Sequence, residues 1–313
     1  MSKYVISSSP HLRDNVSTTS IMRDVCIALL PAAVAGVLFF GYRSAIILAL
    51  SVAAAVLSEW LYCKAAHCRN TIGDFSAVVT GMLLAMNLPS TVPYWMPVIG
   101  SVIAILLCKM IFGGIGQNFI NPALAARAIL ALSWASLMNT FATPAFGNLA
   151  GVDAVASATP IGAAAGTYTL GQLFLGNIPG TIGETCKLAL LIGAAYLFYK
   201  KVITWHIPAA FIGTLAVCYL LKTGVDVNAT LAQLLSGGLI LGAFFMATDY
   251  SSSPATAKGK IVFGIGCGLL LFIFRACKKT PAEWCSYAIL LMNVCSPLIE
   301  RVTGNKSFGE VKK

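Results

Sequence analysis

Apolar residues in this 313-residue chain are gathered into long runs, and short polar segments separate one run from the next. Most runs approach the length of about 20 residues with which an α-helix crosses the hydrocarbon core of a bilayer. The pattern predicts ten spanning helices, at residues 22–41, 44–62, 75–88, 94–112, 121–138, 183–200, 203–222, 229–248, 260–276 and 282–300. We therefore expect an all-α polytopic membrane protein.

One long polar segment, rich in Gly, Ala, Ser and Thr, interrupts this pattern and divides the predicted helices into two groups of five. An odd number of spans in each half would invert the second half relative to the first, as in many membrane carriers. The sequences that begin at Gly81 and Gly238 resemble each other and favour such a repeat, but apolar helices also match by chance. The predicted order is an N-terminal segment, a first membrane half, an external segment, a second membrane half and a C-terminal tail, at residues 1–21, 22–138, 139–182, 183–300 and 301–313.

Composition supports this reading and excludes other classes of protein. The chain is 58% hydrophobic and only 10% charged, against about 25% charged in a soluble domain. A net charge of +10 would suggest a nucleic-acid partner in a soluble protein, but most of the 21 Lys and Arg residues lie in short loops between apolar runs. The positive-inside rule then places both termini in the cytoplasm and the segment 139–182 outside the cell membrane. The cluster from Arg275 to Lys279 opposes this orientation.

The ten cysteines form no CxxC pair, and most lie inside apolar runs. Cys63, His67 and Cys68 are close in sequence, but three ligands without a partner motif make a weak metal signature. We expect no metal site and no nucleic-acid partner.

The external segment carries the first candidate site. Pro160 disfavours helical structure at Thr159, and Ser157 and Ala158 are small neighbours that leave the threonine hydroxyl accessible. A modifying enzyme would reach such a hydroxyl. The alternative is an ordinary polar loop of small residues.

The sequence from Asp153 to Pro160 resembles the flavinylation motif of the RnfD/NqrB family of membrane proteins, found in the Rnf ion-translocating ferredoxin:NAD oxidoreductase complex and in the sodium-pumping NADH:quinone reductase. In that family the motif threonine carries FMN through a phosphoester bond. The resemblance implies covalent FMN on Thr159, with Ser157 and Asp153 beside it. The family motif usually reads Ser-Gly-Ala-Thr, so Ser157 stands one position nearer the threonine than usual.

The second candidate site begins at Gly113 and runs through Asn118 and Asn121 to Arg127. Glycine-rich segments in membrane proteins often form only tight turns between helices. Two amides three residues apart need partners if they are buried, and we expect Arg127 to face the same cavity, with an interfacial position as the alternative. In the resembling family this segment is similar to part of a non-covalent flavin site near the cytoplasmic side, which implies riboflavin held by Asn118 and Asn121.

The third candidate is Asp249, in a polar stretch that follows a predicted span. It is interpreted either as a simple turn with local side-chain hydrogen bonds or as a broken element that faces a cofactor or an ion path. Glu59, at the end of another apolar run, is expected to be solvated at the inner surface.

The resemblance implies an electron-carrying subunit that helps to couple ferredoxin oxidation and NAD reduction to Na⁺ or H⁺ movement, with no complete active site in this chain alone. It implies as partners a second flavinylated subunit outside, further membrane subunits of the Rnf complex and a flavin transferase. The absence of a long N-terminal extension favours the Rnf branch over the quinone-reductase branch. A solute transporter or channel with an inverted repeat, and a purely structural assembly subunit, are the alternatives.

Overall fold

The computed structural model describes residues 16–68, 70–147, 160, 168–277 and 284–304. Within those ranges the regular structure is helical, apart from one antiparallel bridge between Pro89 and Thr181. The helices of the first half are α1 (Thr18–Phe40), α2 (Tyr42–Ala65), α3 (Ser76–Met86), α4 (Trp95–Ile105), α5 (Pro122–Ser133) and α6 (Ala135–Met138). A 3₁₀ turn at Ile72–Asp74 precedes α3, and a π-helical turn at Leu106–Met110 continues α4.

The second half repeats this mixture of long and short helices. Its elements are α7 (Leu170–Leu175), α8 (Lys187–Tyr199), α9 (His206–Lys222), α10 (Val227–Leu235), α11 (Leu239–Leu241), α12 (Ala257–Cys277) and α13 (Cys285–Thr303). A π-helical turn at Gly242–Met246 continues α11. The predicted all-α fold is thus confirmed for the part of the chain that the structure describes.

In the described part of the chain, four helices are long and apolar enough to cross a membrane, at Thr18–Phe40, Tyr42–Ala65, His206–Thr223 and Ala257–Cys277. The pair Val227–Leu235 and Leu239–Met246 would make a fifth span, but it is bent by 67° at the break between its parts. The chain is therefore a multi-pass membrane protein.

Several of the ten predicted spans are shorter than the sequence pattern indicated. The apolar helices Ser76–Met86, Trp95–Met110, Pro122–Ser133 and Lys187–Tyr199 each have fewer than 18 residues. An 11-residue helix such as α3 rises only about 16 Å, about half of the hydrocarbon core. The apolar run continues beyond α3, but its backbone leaves the helix at Asn87 and turns through Pro89.

The two halves share one hydrophobic core. Its largest cluster combines buried side chains from both halves, including Leu29, Leu84 and Leu124 from the first and Phe211 and Phe263 from the second. Helix α1 packs against α8 and α5 packs against α13, so these contacts join the first predicted spans of the two halves and their fifth predicted spans. Inside the halves, α2 packs against α4 and α9 packs against α12.

Close backbone approaches fix these contacts. A Cβ atom on Gly193 of α8 would collide with the carbonyl oxygen of Ala28 in α1, so only glycine fits there. Small residues that let helix backbones approach closely are the usual basis of helix packing in membranes. The end of α3 is also joined by backbone hydrogen bonds to the segment before α8, from Ile182 N to Leu88 O (3.0 Å) and from Gly183 N to Met86 O (2.9 Å).

Candidate functional site

A cavity between the two halves is lined by three of the seven predicted site residues, Asn118, Asn121 and Asp249. It opens to solvent, and about 800 Å³ of empty space, part of it open solvent, lies within its bounds. We call it the main cavity. Its apolar walls come from both halves and include Val25, Val79, Leu83, Leu197 and Phe244, while its polar lining includes Ser76, Thr80, Lys109, Asn118, Asn121, Thr248 and Asp249.

Asn121 fixes both the start of α5 and the junction between the halves. Its side-chain Oδ1 accepts hydrogen bonds from the backbone N–H groups of Ala123 (3.1 Å) and Leu124 (3.3 Å), as an N-cap residue does. Pro122 follows at the first helical position, where its missing N–H is no loss. The Asn121 Nδ2 donates to the carbonyl oxygen of Met246 in the second half (3.3 Å). The sequence suggested that the Asn121 amide binds a ligand, and in the structure this amide also has hydrogen-bond partners within the protein.

Asn118 and Asp249 are 131 positions apart and meet at the cavity wall. The Asn118 Nδ2 donates to Asp249 Oδ2 at 3.5 Å and to the carbonyl oxygen of Ile120 at 3.0 Å. The hydroxyls of Ser251 and Ser252 also donate to Asp249 Oδ2, each at 3.1 Å. Burial raises the pKa of the Asp249 carboxyl, and these hydrogen bonds oppose the shift. The second and third candidate segments thus form one site.

A buried ion pair that the sequence did not reveal adjoins the same cavity. Lys109, on the π-helical turn after α4, places its Nζ 2.6 Å from Glu59 Oε2 of α2. The same Nζ donates to the hydroxyl of Ser76 at 2.6 Å, and Thr71 donates to Glu59 Oε1 at 2.5 Å. Glu59 is fully buried, so the expectation of a solvated carboxylate was wrong. Asp74 accepts a hydrogen bond from the Ser76 hydroxyl and extends this polar network.

The sequence suggested that Arg127 faces the same cavity as Asn118 and Asn121. In the structure Arg127 is not among the residues that line the main cavity. Its guanidinium donates to the hydroxyl of Ser286 in α13, and its Nη2 lies 3.9 Å from Glu184 Oε1. Arg127 follows Asn121 by six residues, which is roughly 240° around a helix, so the two side chains leave α5 in different directions. Lys187 donates to the carbonyl oxygens of Glu184 and Gly237 and completes a second buried charged cluster.

A smaller crevice adjoins this second cluster. It contains about 340 Å³ of empty space, open to solvent, and we call it the outer crevice. Its lining comprises Phe141, Pro160, Ile178, Pro179, Gly180, Thr181, Glu184, Thr185, Lys187 and Gly237.

The predicted modification site, Thr159 with Ser157 and Asp153, lies outside the described residues. Its neighbour Pro160 is described and lines the outer crevice. Among the described residues no group of three His, Cys, Asp or Glu side chains is arranged to hold a metal ion.

The described helices and cavities define a multi-pass membrane protein with a candidate ligand site between its halves. Residues 5–309 match the NQR2, RnfD, RnfE family, and the chain belongs to that family. This confirms the family that the sequence motifs indicated.

Named relatives cover almost the whole chain. It is 49% identical over 315 residues to the D subunit of the Na⁺-translocating ferredoxin:NAD⁺ oxidoreductase complex of Acetobacterium woodii, an alignment that covers 98% of this chain and 96% of that protein. It is 41% identical to the D subunit of the proton-translocating ferredoxin:NAD⁺ oxidoreductase complex of Clostridium ljungdahlii, with the same coverage. The D subunit of the ion-translocating oxidoreductase complex of Halorhodospira halophila is 33% identical, over 97% of this chain and 95% of its own length.

Proposed function

We propose that this chain is the electron-carrying membrane subunit of an ion-translocating ferredoxin:NAD oxidoreductase complex of the Rnf type. The observation that carries the proposal is the 49% identity, along nearly the full length of both chains, to a protein named as the D subunit of such a complex. The partners are then the other subunits of the complex, including a second flavinylated subunit outside and further membrane subunits. Relatives are named for either Na⁺ or proton translocation, and the proposal covers either ion.

The first cofactor of this proposal is FMN, joined to Thr159 by a phosphoester bond that a flavin transferase forms. Thr159 lies in the segment that charge distribution assigns to the outside of the cell membrane. A flavin supplies the electron-accepting and electron-donating chemistry, while the protein supplies placement and electrostatics.

The second proposed cofactor is non-covalent riboflavin in the main cavity. The fit is supported by apolar walls such as Val79 and Phe244, which suit a flat aromatic ring, and by polar groups at Asn118 and Asp249, which suit its carbonyl and imide edge. In this site Asn118 and Asp249 would orient the ring. Lys109, held by Glu59, would place a positive charge at the cavity wall.

The proposed topology is ten membrane passages in two inverted halves, with both termini in the cytoplasm. Support comes from the matching neighbours in the two halves: the second predicted span packs against the fourth in each, as α2 against α4 and α9 against α12. The short helices would then cross only part of the membrane. Non-helical backbone at that depth is tolerated where protein or a cavity surrounds it.

One alternative function has structural support of its own. The 67° break between α10 and α11, beside a cavity shared by two similar halves, is an arrangement that solute transporters also use. Solute uptake by liposomes that contain only this chain would favour that alternative. A role like that of the NqrB protein in a Na⁺-translocating NADH:quinone reductase is the other alternative, and quinone reduction by the assembled complex would favour it.

The experiment that tests the proposal is in-gel flavin fluorescence after denaturing electrophoresis. The chain is expressed with a flavin transferase, as the native sequence, as Thr159→Ala and as the control Thr167→Ala, a threonine of the same external segment outside the motif. We expect a fluorescent band in the native and control chains and none in Thr159→Ala. No band in any chain, although the transferase labels a known substrate in the same cells, would refute covalent flavin attachment.

A further inference from the structure

The lining of the main cavity includes the cationic side chain of Lys109. An ammonium group carries three N–H donors. In Lys109 one of them donates to Glu59 Oε2 and a second donates to the hydroxyl of Ser76, each at 2.6 Å. Within the described part of the chain these are the two acceptors of the ammonium group, so its third donor is available to a ligand in the cavity.

Glu59 depends on the same ammonium group to remain charged. Its side chain is fully buried, and its carboxylate accepts hydrogen bonds from Lys109 at one oxygen and from the hydroxyl of Thr71 at the other. If the ammonium group turns towards a ligand in the cavity, the carboxylate keeps only the neutral donor, Thr71. A buried carboxylate that loses its cation takes up a proton in preference to staying charged.

The hydrogen-bond network of this pair also reaches the loop between α2 and α3. Thr71 and Asp74 belong to that loop and are half-buried. Glu59 is joined to the loop through Thr71, and Ser76 is joined to it because its hydroxyl donates to Asp74 Oδ1. The charge distribution assigns this loop to the cytoplasmic side of the membrane. A proton can therefore pass between the solution and Glu59 through the Thr71 hydroxyl, without crossing the main cavity.

Other titratable side chains surround the network, namely Cys63 on α2, Asp74 in the loop, and Asp249 and Tyr250 in the cavity lining. Cys63 Sγ lies 3.9 Å from the hydroxyl oxygen of Thr71. Asp249 accepts hydrogen bonds from one amide and two hydroxyls, and the Tyr250 hydroxyl donates to a backbone carbonyl oxygen. Among the described carboxylates, Glu59 is the one that contacts Lys109 directly, so a change in the position of that ammonium group acts first on Glu59.

We propose that Glu59 and Lys109 form a redox-linked proton site. When the riboflavin proposed for the main cavity is reduced, Lys109 pairs with the reduced ring and Glu59 takes up a proton. This inference rests on the proposed function, because it needs a redox-active molecule in the cavity.

The charges and atoms of this step balance. Two electrons, from the electron donor of the complex, and one proton from the solvent leave the ring with one negative charge, which the ammonium group of Lys109 balances. A second proton arrives through Thr71 and converts the Glu59 carboxylate into a carboxylic acid. Two electrons and two protons have then entered, and the total charge is unchanged. Reoxidation returns both protons to the solution and restores the ion pair.

The test is redox-difference infrared spectroscopy of the purified chain with bound riboflavin, reduced and reoxidised at an electrode. A carboxylate that gains a proton produces the carbonyl band of a carboxylic acid, and this band shifts when H₂O is replaced by D₂O. We expect the band when the native chain is reduced and its complete loss in Glu59→Gln. The double variant Glu59→Gln with Lys109→Met should also lack the band, and it guards against misfolding because it removes both charges together. The control is Glu300→Gln, at an exposed glutamate that accepts a hydrogen bond from the backbone N–H of Ala255 at 2.9 Å, and we expect it to keep the band.

The conservative variant Glu59→Asp keeps a carboxyl group, and we expect it to show a carboxylic acid band at a shifted frequency. A band that persists unchanged in Glu59→Gln would overturn the proposal, because another group would then take up the proton. Riboflavin binding is measured separately, from the quenching of riboflavin fluorescence as the chain is added. A native chain that binds no riboflavin would refute the proposed cofactor of the main cavity together with this inference, whereas bound riboflavin that is reduced without the band would refute only the proton site.

Discussion

The buried pair of Lys109 and Glu59 is the sharpest test of the structure. Its charged atoms are 2.6 Å apart and both side chains are almost fully excluded from solvent. Changing Lys109 to Met leaves the Glu59 carboxylate with a neutral donor, the hydroxyl of Thr71, in place of a cation. Changing Glu59 to Gln leaves the ammonium group of Lys109 without its anion.

Either single substitution leaves an unpaired charge in the protein interior, which costs about 3–5 kcal/mol of unfolding free energy when a buried pair loses one partner. The double variant Glu59→Gln with Lys109→Met removes both charges. Because neutral residues of similar size often replace a buried pair at little cost, we expect the double variant to be more stable than either single variant. The coupling free energy, which is the sum of the two single losses minus the loss in the double variant, should therefore exceed the larger of the two single losses.

Unfolding in detergent is followed with a thiol-reactive fluorescent dye, because Cys63, Cys108 and Cys267 are buried and react only when the fold opens. The matched control is Lys64→Met, an exposed lysine that lies 5.1 Å from the ring centre of Trp60. We expect the control to lose no more than about 1 kcal/mol. Additive losses in the double variant, or single variants as stable as the control, would refute the assignment of a buried ion pair.

Two further predictions concern the cavity wall and the helix packing. Burial raises the pKa of the Asp249 carboxyl, so the stability that its protonated form contributes is present at low pH and is lost as pH rises through that raised pKa. As pH rises through that pKa, the thermal midpoint of unfolding should fall in the native chain but not in Asp249→Asn. The same change of midpoint with pH in both chains would contradict the prediction. Gly193→Val should lower stability by about 1–3 kcal/mol or more through collision with the Ala28 carbonyl. Gly213→Val, at a glycine with open space around it, is the control, and equal thermal midpoints for the two variants would argue against the close contact of α1 with α8.

Much of the helical architecture could be predicted from hydrophobic runs, but the lengths of the helices could not. Each predicted span overlaps at least one observed helix. Hydropathy reports that a segment is buried in apolar surroundings and does not report whether its backbone stays helical. The run 75–88 therefore predicted a full span, whereas α3 ends at Met86 because the following backbone pairs with residues 182 and 183.

The candidate site shows the same division between local and distant information. Asn118 and Asn121 could be associated because they lie close in sequence and precede a helix that begins with Pro122. Their contacts with the second half involve positions more than 120 residues away, and only the fold brings them together. The partner of Glu59 is 50 positions distant, so a single carboxylate at the end of an apolar run gave no sign that it was buried.

The backbone hydrogen bonds between the end of α3 and the segment before α8 link the main cavity to the outer crevice. In α3, Leu83 contributes to the lining of the main cavity. In the segment before α8, Thr181 contributes to the lining of the outer crevice. Breaking the bonds at Leu88 and Met86 inside a bilayer would leave backbone groups unsatisfied at a cost of several kcal/mol each. These two hydrogen bonds therefore join the walls of the two regions directly through the main chain.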